Sequence, residues 1–500
     1  MEKKTNWRQF GVLVLVFFFW GFVAASNDIL IPVFKLKLHL EQWQSQMVSF
    51  SFYLAYTVGA IIYYIISKRS GRDLLNKIGY KNGIALGLVI SAGGTLLFYP
   101  AAETSSFLLM ISGLFIVGLG FSLQQMAANP LAIVIGDPKS GATRLSMGGG
   151  VNNFGTTIGP LIVSFAIFGS ITSDATEHVA SISAVKIPYL ILGAAFILVA
   201  VIFKFSSLPN KIDLEESSLA SREVVLNNDS FTKPKKSAFG YPQLVMGMIA
   251  IFVYVGVEVS TAGNLPEFMR QKLNIDTHNI APYVSLFWAS LMIGRWTASV
   301  GALNIKDNTR RILKVVMPYV AFAVFLIVNK IASRDITPFY VYAFVILIMI
   351  AGDFLSKENP ARQLLIFSCL AIMALITGML TQGMVSVYAL ISVGLFCSTL
   401  WPCIFTLAIA GLGKYTNEGS SLLIMMCMGG GCISLLQGWL SKDSLLGIQY
   451  SYLTGVVCFA YLAYYAVKAK VILKQYGIDY DIQAVDKKGV ESAPPILPVA

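Results

Sequence analysis

Long apolar runs separated by short polar segments cover most of the chain. A helix needs about 20 apolar residues to cross the roughly 30 Å core of a bilayer, and about fourteen runs reach that length. They fall at residues 9–34, 45–67, 81–100, 106–135, 144–170, 187–205, 242–265, 280–303, 312–331, 336–353, 363–380, 384–411, 420–440 and 450–471. The pattern predicts an all-α polytopic membrane protein with about 14 transmembrane helices. The first run is too long for the apolar part of a cleavable signal peptide, and no small-residue cleavage site follows it.

Two polar segments divide this pattern. Residues 206–241 are rich in Ser, Asn and Lys, which is typical of a flexible linker. They separate a predicted N-terminal six-helix bundle, 1–205, from a C-terminal bundle, 242–475. Residues 476–500 are polar and end in Pro-rich sequence, so we expect a disordered cytoplasmic tail.

One short motif occurs in both predicted bundles. "RLSMGGGVNNFGTTIGPLI" begins at Arg144, and "LLIMMCMGGGCISLLQGWL" begins at Leu422. Each places Met-Gly-Gly-Gly in the fifth helix of a six-helix unit if the runs at about 312–353 are set aside as an inserted pair. Repeated halves are typical of transporters whose substrate binds between them near mid-membrane. The plainer alternative is that these glycines only allow close helix packing.

The charge balance orients the chain in the membrane. Only 13% of the residues are charged, against about 25% in soluble domains, and 56% are hydrophobic. With a cytoplasmic N-terminus, most of the 37 Lys and Arg residues fall on the cytoplasmic side, as the positive-inside rule expects. The net charge of +11 therefore indicates membrane orientation, with both termini cytoplasmic, and not nucleic-acid binding. All 6 cysteines lie in apolar runs, which predicts buried free thiols.

Two acidic residues lie inside predicted helices. Asp28 interrupts "FFFWGFVAASNDILIP" in the first run, and Glu258 lies in the run that opens the second half. An acid at the centre of a spanning helix costs roughly 2.5–3.5 kcal/mol and usually faces a protein or water-filled interior. Both are candidate ion-coupling groups. Asp28 could instead lie near the outer surface or hold a helix contact, whereas Asp353 falls near a cytoplasmic end and needs no special role.

Amides and aromatic residues accompany these acids in the same runs. Amides both donate and accept hydrogen bonds, and flat rings pack on the apolar C–H face of a sugar. The candidate substrate-binding residues are Asn27, Gln124, Gln125, Asn129, Asn152, Asn153, Asn264, Trp288, Tyr53 and Tyr56. For the tyrosines, ordinary packing is the alternative.

Several motifs resemble the fucose–galactose–glucose:proton symporters of the major facilitator superfamily. The resemblance rests on "NDILIPVF" at Asn27–Phe34, "LFYPAAE" at Leu97–Glu103, "AANP" at Ala127–Pro130, "YVGVEVS" at Tyr254–Ser260, "IGR" at Ile293–Arg295, "IFTLAIAGLGKYTNEGSS" at Ile404–Ser421 and "LLQG" at Leu435–Gly438. It implies twelve helices in two bundles, alternating access by rocking of the bundles, and Asp28 as the first-helix acid of proton-coupled sugar transport.

The chain departs from this family in three places. Gln125 stands where fucose symporters have a glutamate before "AANP", and Gly149 stands where they have a glutamine. Asn152 still matches a polar family position, and Glu258 fits the glucose-type branch. The inserted helix pair is additional to the family's twelve helices.

Together these features predict a secondary active transporter that imports a hexose or related sugar across a bacterial inner membrane by cation symport. We expect no cofactor beyond the coupling cation, H⁺ or alternatively Na⁺, no partner beyond the sugar and the lipid bilayer, and a monomer sufficient for transport. An exporter or antiporter of another small solute is the competing interpretation. We expect no enzyme, because no nucleophile elbow or clustered metal-ligand set is evident.

Overall fold

The structure, a computed structural model, describes residues 6–37, 40–69, 74–135, 141–168, 186–210, 237–300, 305–412, 416–476, 478 and 480–481. The first half contains helices α1 (Trp7–Lys37), α2 (Gln42–Ser45), α3 (Met47–Arg69), α4 (Leu74–Ile78), α5 (Tyr80–Leu96), α6 (Phe98–Glu103), α7 (Phe107–Val134), α8 (Gly141–Phe168) and α9 (Lys186–Phe205).

The second half begins with a 3₁₀ turn at Ala238–Gly240 and continues through eleven further helices. These are α10 (Pro242–Leu273), α11 (Thr277–Val300), α12 (Asp307–Ile331), α13 (Tyr342–Ser356), α14 (Pro360–Leu380), α15 (Gly383–Cys397), α16 (Leu400–Ile409), α17 (Thr416–Met425), α18 (Gly429–Leu440), α19 (Gly447–Tyr450) and α20 (Leu453–Gln475). Two more 3₁₀ turns lie at Thr337–Phe339 and Met426–Met428.

Every predicted run coincides with helix, and the described residues contain 12 helical segments long and apolar enough to cross a membrane. The two predicted runs outside that set are α8 and α11, with 28 and 24 residues. These two helices pack against each other, one from each half. A helix covered by protein can carry more polar residues than one that faces lipid, which explains how α11 carries Arg295 among its apolar residues.

The helix α10 corrects one expectation from the sequence. The predicted run ended at residue 265, just before Pro266, but α10 continues through Pro266 to Leu273. Proline removes one backbone hydrogen bond, and membrane helices tolerate that loss where neighbouring protein surrounds them. The residues around Pro266 are all buried, so the helix stays continuous.

The two halves repeat the same packing order. In the first half α5 lies against α7 and α9, and α1 lies against α8. In the second half α14 lies against α15 and α20, and α10 lies against α18. The correspondence requires α12 and α13 to be set aside, as the sequence predicted. The predicted boundaries at 206–241 and 476–500 remain predictions, since most of those residues lie outside the described part of the chain.

The inserted pair lies along one side of the second half. Helix α12 packs on α11, while α13 packs on α14 and α15. Asp353, which we expected to need no special role, is 6% exposed and forms an ion pair with Lys314 at 3.1 Å. It also accepts a hydrogen bond from Gln363 at 3.3 Å. These contacts join both inserted helices to α14.

The apolar cores of the two halves meet at only one end of the described molecule. One cluster is built from first-half residues between Phe10 and Leu208. The larger cluster follows the second half and also includes first-half residues, namely Ala25, Val48, Phe98, Ala101, Ala102, Met110, Leu114, Val163 and Tyr189. Most of these lie toward the end where α1 ends and α3 begins, which we call the α2 end. The halves are therefore packed together most tightly there.

Candidate transport site between the two halves

The repeated glycines lie where the halves touch. In α8, a Cβ on Gly148 would come within 2.9 Å of the Phe17 ring on α1, within the same half. The two following glycines face α11 of the other half, where Arg295 and Trp296 lie 3.6 and 3.1 Å from the positions that a Cβ would take. The absence of side chains thus lets α8 contact both α1 and the opposite half.

The second glycine triplet, at the start of α18, repeats this arrangement in the same register. Gly429 packs on the backbone of α10 at Phe252, within its own half. The next two glycines face α3 of the other half, at 3.1 Å from the Tyr53 ring and 2.6 Å from the Phe50 Cα. The sequence repeat is therefore also a repeat of contacts, and both triplets form close contact faces between the halves.

Glu258 lies near the middle of α10 and carries an unsatisfied carboxylate oxygen. Its Oε2 atom is buried and has no hydrogen-bond partner among the described residues. Tyr254, one turn earlier on α10, and Arg295 on α11 both interact with the carboxylate electrostatically. A buried acid beside a cation and a hydroxyl, in a membrane helix, is an arrangement that can exchange a proton or bind a cation.

The helix opposite Glu258 is interrupted. The gap between α15 and α16 falls at Ser398 and Thr399, four and three residues before Pro402. Proline has no N–H, so the carbonyl of Ser398 loses its usual helical donor. Arg295 Nε takes that place at 3.4 Å, and the Tyr254 hydroxyl donates to the neighbouring Cys397 carbonyl at 3.2 Å.

A second interruption lies at the 3₁₀ turn Met426–Met428, between α17 and α18. There the Thr57 hydroxyl of the first half donates to the Met425 carbonyl at 2.9 Å. Cys427, inside the turn, interacts electrostatically with Glu258. Interrupted helices near mid-membrane are typical of substrate and ion sites in transporters, because they place backbone dipoles at the site.

On the first half, three predicted residues come together. Gln125 donates from Nε2 to the Tyr56 hydroxyl at 3.2 Å, and the Tyr56 and Tyr53 rings stack with centroids 6.0 Å apart. Tyr53 also meets the α18 glycines. These amide and aromatic groups therefore extend from α7 to the contact between the halves.

The remaining predicted residues of α7, α8 and α11 are buried or half-buried. Asn152 is half-buried and donates from Nδ2 to the Phe17 carbonyl of α1 at 3.0 Å. Asn153 is buried, and its Nδ2 has no partner among the described residues. Asn129 is half-buried and Trp288 is 5% exposed.

Two predicted residues have other surroundings. Gln124 is fully buried, accepts from Trp20 Nε1 at 3.0 Å and donates to Ser91 at 3.1 Å, so both ends of its amide are used inside the first half. Asn264 is buried near the α2 end, where it accepts a hydrogen bond from Gln42 at 3.0 Å. Its contact is between the halves, away from the helix interruptions.

Asn27 and Asp28 lie in α1, but their side-chain surroundings fall outside the described part of the structure. Their predicted roles therefore remain predictions. The α1 helix itself is held against α8, the helix that carries Asn152.

Sequence reasoning missed several residues of this interface, among them Arg295, Pro402, Gln42 and Gln46. Arg295 was noted only as a helical arginine of a family motif, although an arginine inside an apolar run is itself a signal. Pro402 in the run 384–411 was the signal for the interruption that Tyr254 and Arg295 occupy. Gln42 lies just before the run 45–67 and Gln46 lies at its start, and neither gave a signal, because only their packing against α10 makes them interfacial.

Comparison with known proteins agrees with this architecture. The Major Facilitator Superfamily model matches residues 12–333. The glucose/galactose transporter of Brucella abortus is 32% identical over 457 residues, covering 91% of this chain and 92% of that protein. The L-fucose-proton symporter of Escherichia coli is 25% identical over 487 residues, covering 93% and 94%.

Among solved structures, the Escherichia coli fucose:proton symporter in the outward conformation matches with a TM-score of 0.58 and 24% identity, over 92% of this chain and 98% of that one. This likeness establishes the fold. The extent of the family match and the identity to the Brucella transporter establish the family. The chain is a member of the Major Facilitator Superfamily.

Proposed function

We propose that this protein is a secondary active transporter that imports a hexose or related sugar by cation symport, with a proton as the coupling ion. The names of its relatives support a sugar, and that of the Escherichia coli relative supports a proton. The α2 end then faces outward from a bacterial inner membrane, and both termini are cytoplasmic. The sugar is the only ligand required besides the cation, and one chain is sufficient.

The observation that carries the proposal is the position of Glu258. Its Oε2 atom is buried without a hydrogen-bond partner among the described residues, and the preceding turn of α10 contacts both interruptions, through Tyr254 at Cys397 and Gly256 at Gly429. A carboxylate there can take up a proton in one conformation and release it in another, because the exposure of the site differs between the conformations. Asp28 on α1 is the second proposed coupling residue.

The sugar contacts are proposed on both halves. Gln125, Asn129, Asn152 and Asn153 provide hydrogen-bonding amides on the first half, and Tyr53 and Tyr56 provide ring faces. On the second half, Trp288 provides an aromatic surface. Asn27 is proposed from sequence alone. Gln124 and Asn264 are better explained as structural residues, because their amides are paired within the protein.

The contacts between the halves support alternating access. The described hydrogen bonds and ion pairs that cross between the halves involve Glu41, Gln42, Gln46, Thr57, Thr157 and Ser285, and all lie from mid-membrane to the α2 end. The structure thus has the α2 end closed. Transport requires a second state in which these contacts open, as expected when two rigid halves rock about a central site.

The test is uptake of radiolabelled D-glucose, D-galactose and L-fucose into proteoliposomes with an imposed proton gradient. We expect gradient-driven accumulation of at least one sugar in the wild type. Glu258→Gln and Asp28→Asn should each lose accumulation while keeping sugar exchange. Glu103→Gln, which alters an exposed carboxylate of α6, is the matched control and should behave as the wild type. Full accumulation in both coupling variants would remove these acids from the mechanism.

Sodium coupling is the second candidate, and one feature favours it. The Thr399 hydroxyl at the interruption near Glu258 is buried and unpaired among the described residues, and backbone carbonyl oxygens lie beside it. Carboxylate, hydroxyl and carbonyl oxygens are ligands for hard cations. Replacing the proton gradient by a sodium gradient in the same vesicles distinguishes the two ions. Release of preloaded sugar or drug from the vesicles, in place of accumulation, would indicate an exporter instead.

A further inference from the structure

Arg295 lies among three parts of the candidate site, namely the interruption before Pro402, the part of α10 that carries Glu258, and Gly149 of the opposite half. Its Nε donates to the Ser398 carbonyl at the interruption before Pro402. Tyr254, one turn before Glu258 on α10, donates to the adjacent Cys397 carbonyl, so the guanidinium and the Glu258 carboxylate lie in the same buried region. Arg295 Nη1 lies 3.6 Å from the position of a Cβ on Gly149, in the opposite half.

The backbone around Arg295 is fitted closely to the interruption. A Cβ on Gly294 would collide with the Ser398 side chain, so α11 approaches the gap with bare backbone. The Ser398 hydroxyl is turned back to the Leu395 carbonyl at 2.7 Å. Arg295 therefore enters the gap at a fixed point, and its guanidinium is positioned by the backbone of α15 and α16.

Other groups around Glu258 carry no comparable charge. The titratable groups that face it from the described neighbouring elements are Tyr254 of α10, Arg295 of α11, Cys397 of α15 and Cys427 of the 3₁₀ turn. Only Arg295 is cationic at neutral pH. A change in the charge of Glu258 therefore acts mainly on this one guanidinium.

We propose that Arg295 is a positioning residue that transmits the charge state of Glu258 to the contact between the halves. When Glu258 is ionised, attraction holds the guanidinium toward α10 and the Ser398 carbonyl. When Glu258 is neutral, that attraction is lost and the guanidinium moves toward Gly149, where the missing side chain leaves room. The proposal rests on the proposed function, because it assigns Glu258 the coupling role.

The test compares Arg295→Gln and Arg295→Lys with the wild type in proteoliposomes. Radiolabelled sugar exchange at equal pH requires no net proton movement, whereas accumulation under a proton gradient does. Arg295→Gln should lower accumulation about tenfold or more, within the usual range of coupling free energies, while exchange changes little. Arg295→Lys keeps the charge and should restore part of the accumulation. The pH dependence of uptake should shift in both variants.

Two comparisons separate this role from a structural one. Thr297→Val removes a buried hydroxyl of α11 that donates to the Ile293 carbonyl of the same helix, and it does not change charge, so it should preserve coupling. Adding Arg295→Gln to Glu258→Gln should cause no further loss of accumulation, since the two residues act as one unit. Equal loss of exchange and accumulation in Arg295→Gln would overturn the proposal, and so would additive losses in the double variant.

A variant on the opposite half keeps the proposal testable if Arg295→Gln fails to fold. Gly149→Ala adds a Cβ at ordinary contact distance and should transport normally, whereas Gly149→Leu fills the space beside the guanidinium and should uncouple accumulation from exchange. Unchanged coupling in a folded Gly149→Leu would overturn the proposal. Failure of the wild type to transport any of the three sugars would instead overturn the proposed function.

Discussion

The side chain of Gln42 donates a hydrogen bond to Asn264 Oδ1 at 3.0 Å, and this bond joins the two halves at the α2 end. Asn264 continues the connection by donating to the Ser260 carbonyl at 2.8 Å. Close by, Gln46 Nε2 donates to the Gly263 carbonyl at 3.1 Å. We call these bonds between α10 and the segment Gln42–Gln46 the amide latch.

Several polar atoms near the amide latch are buried without partners. They are Gln46 Oε1, Ser260 Oγ, Thr261 Oγ1 and both amide atoms of Gln437. A buried polar group without a hydrogen bond costs about 1–3 kcal/mol relative to a hydrated one. Opening the α2 end would let water form hydrogen bonds with these groups, which favours the open state. The hydrogen bonds of the amide latch favour the closed state.

Gln42→Ala should therefore favour the open α2 end. The substitution removes the donor and leaves Asn264 Oδ1 unpaired in the closed state, a change worth about 1–2 kcal/mol, or roughly 5–30-fold in the equilibrium. A cysteine introduced by Ser260→Cys should react faster with a membrane-impermeant maleimide when combined with Gln42→Ala. The measurement is the labelling rate in oriented vesicles.

Gln449→Ala is the matched control for the amide latch. Gln449 donates to the Met379 and Thr381 carbonyls at 2.9 and 3.0 Å, within the second half and at the same end. Its loss should not change the labelling rate at Ser260→Cys. Equal rates in the Gln42 and Gln449 variants would show that the latch does not hold the halves together.

The ion pair of Glu41 with Lys442 makes closure sensitive to pH on the outer side. The two side chains meet at 2.6 Å across the halves. Hydrogen bonds from Lys442 and then Trp43 hold the pKa of Glu41 below its ordinary value. A lowered pKa stabilises the closed state at pH above the ordinary glutamate value of about 4.3, and the contribution disappears as pH falls through the lowered value.

Acidifying the outer solution below pH about 4.3 should therefore open the α2 end modestly, because exposed ion pairs contribute little. Glu41→Gln should already give faster maleimide labelling of the Ser260→Cys cysteine at neutral pH. Acidification should then not increase the labelling rate further. Glu103→Gln, which alters the ion pair of another exposed glutamate at the same end, should retain the increase on acidification. An identical pH response in Glu41→Gln and the wild type would assign the effect to other groups.

The two glycine triplets predict a contrast between two alanine substitutions. A Cβ on Gly431 would lie 2.6 Å from the Phe50 Cα, whereas one on Gly149 would lie 3.6 Å from its nearest neighbour outside α8. Gly431→Ala should force α18 away from α3 at a cost of about 1–3 kcal/mol, and Gly149→Ala should be tolerated. The measurements are the thermal unfolding temperature in detergent and the rate of sugar exchange for each variant. Equal losses in the two variants would contradict the difference in Cβ distances.

The helices were predictable because crossing a bilayer imposes a length and an apolar character that are directly visible in sequence. The sequence did not show which face of each helix points toward its neighbours. Gln124 and Gln125 are adjacent in sequence, yet one amide is sealed inside the first half and the other reaches Tyr56. That difference depends on which face α7 turns toward α3 and α5, and so on packing between distant segments.

Candidate site residues could be predicted only where a single apolar run contained the unusual residue. Glu258 could be proposed because an acid in an apolar run is costly wherever it points. The role of Arg295 depends on a proline 107 positions later in the chain, whose effect on Ser398 is felt only after α11 and α15 have packed. The sequence contains the two signals separately, an arginine inside the run 280–303 and a proline inside the run 384–411.

The inserted pair offers a prediction about stability that does not depend on transport. Lys314 on α12 and Asp353 on α13 are both buried, and their pairing joins the two inserted helices. Lys314 also lies 3.3 Å from Glu358, which is more exposed. Lys314→Met should destabilise the protein by about 3–5 kcal/mol, because it leaves the Asp353 carboxylate buried without its cation.

The double variant Lys314→Met/Asp353→Leu removes both charges and should recover most of that loss, since apolar side chains of similar size can replace a buried ion pair at little cost. Thermal unfolding of the wild type, both single variants and the double variant gives the coupling between the two residues. Glu358→Gln is the control and should have a small effect, because its side chain is 44% exposed. Additive losses in the double variant would mean that Lys314 and Asp353 stabilise the inserted helices separately.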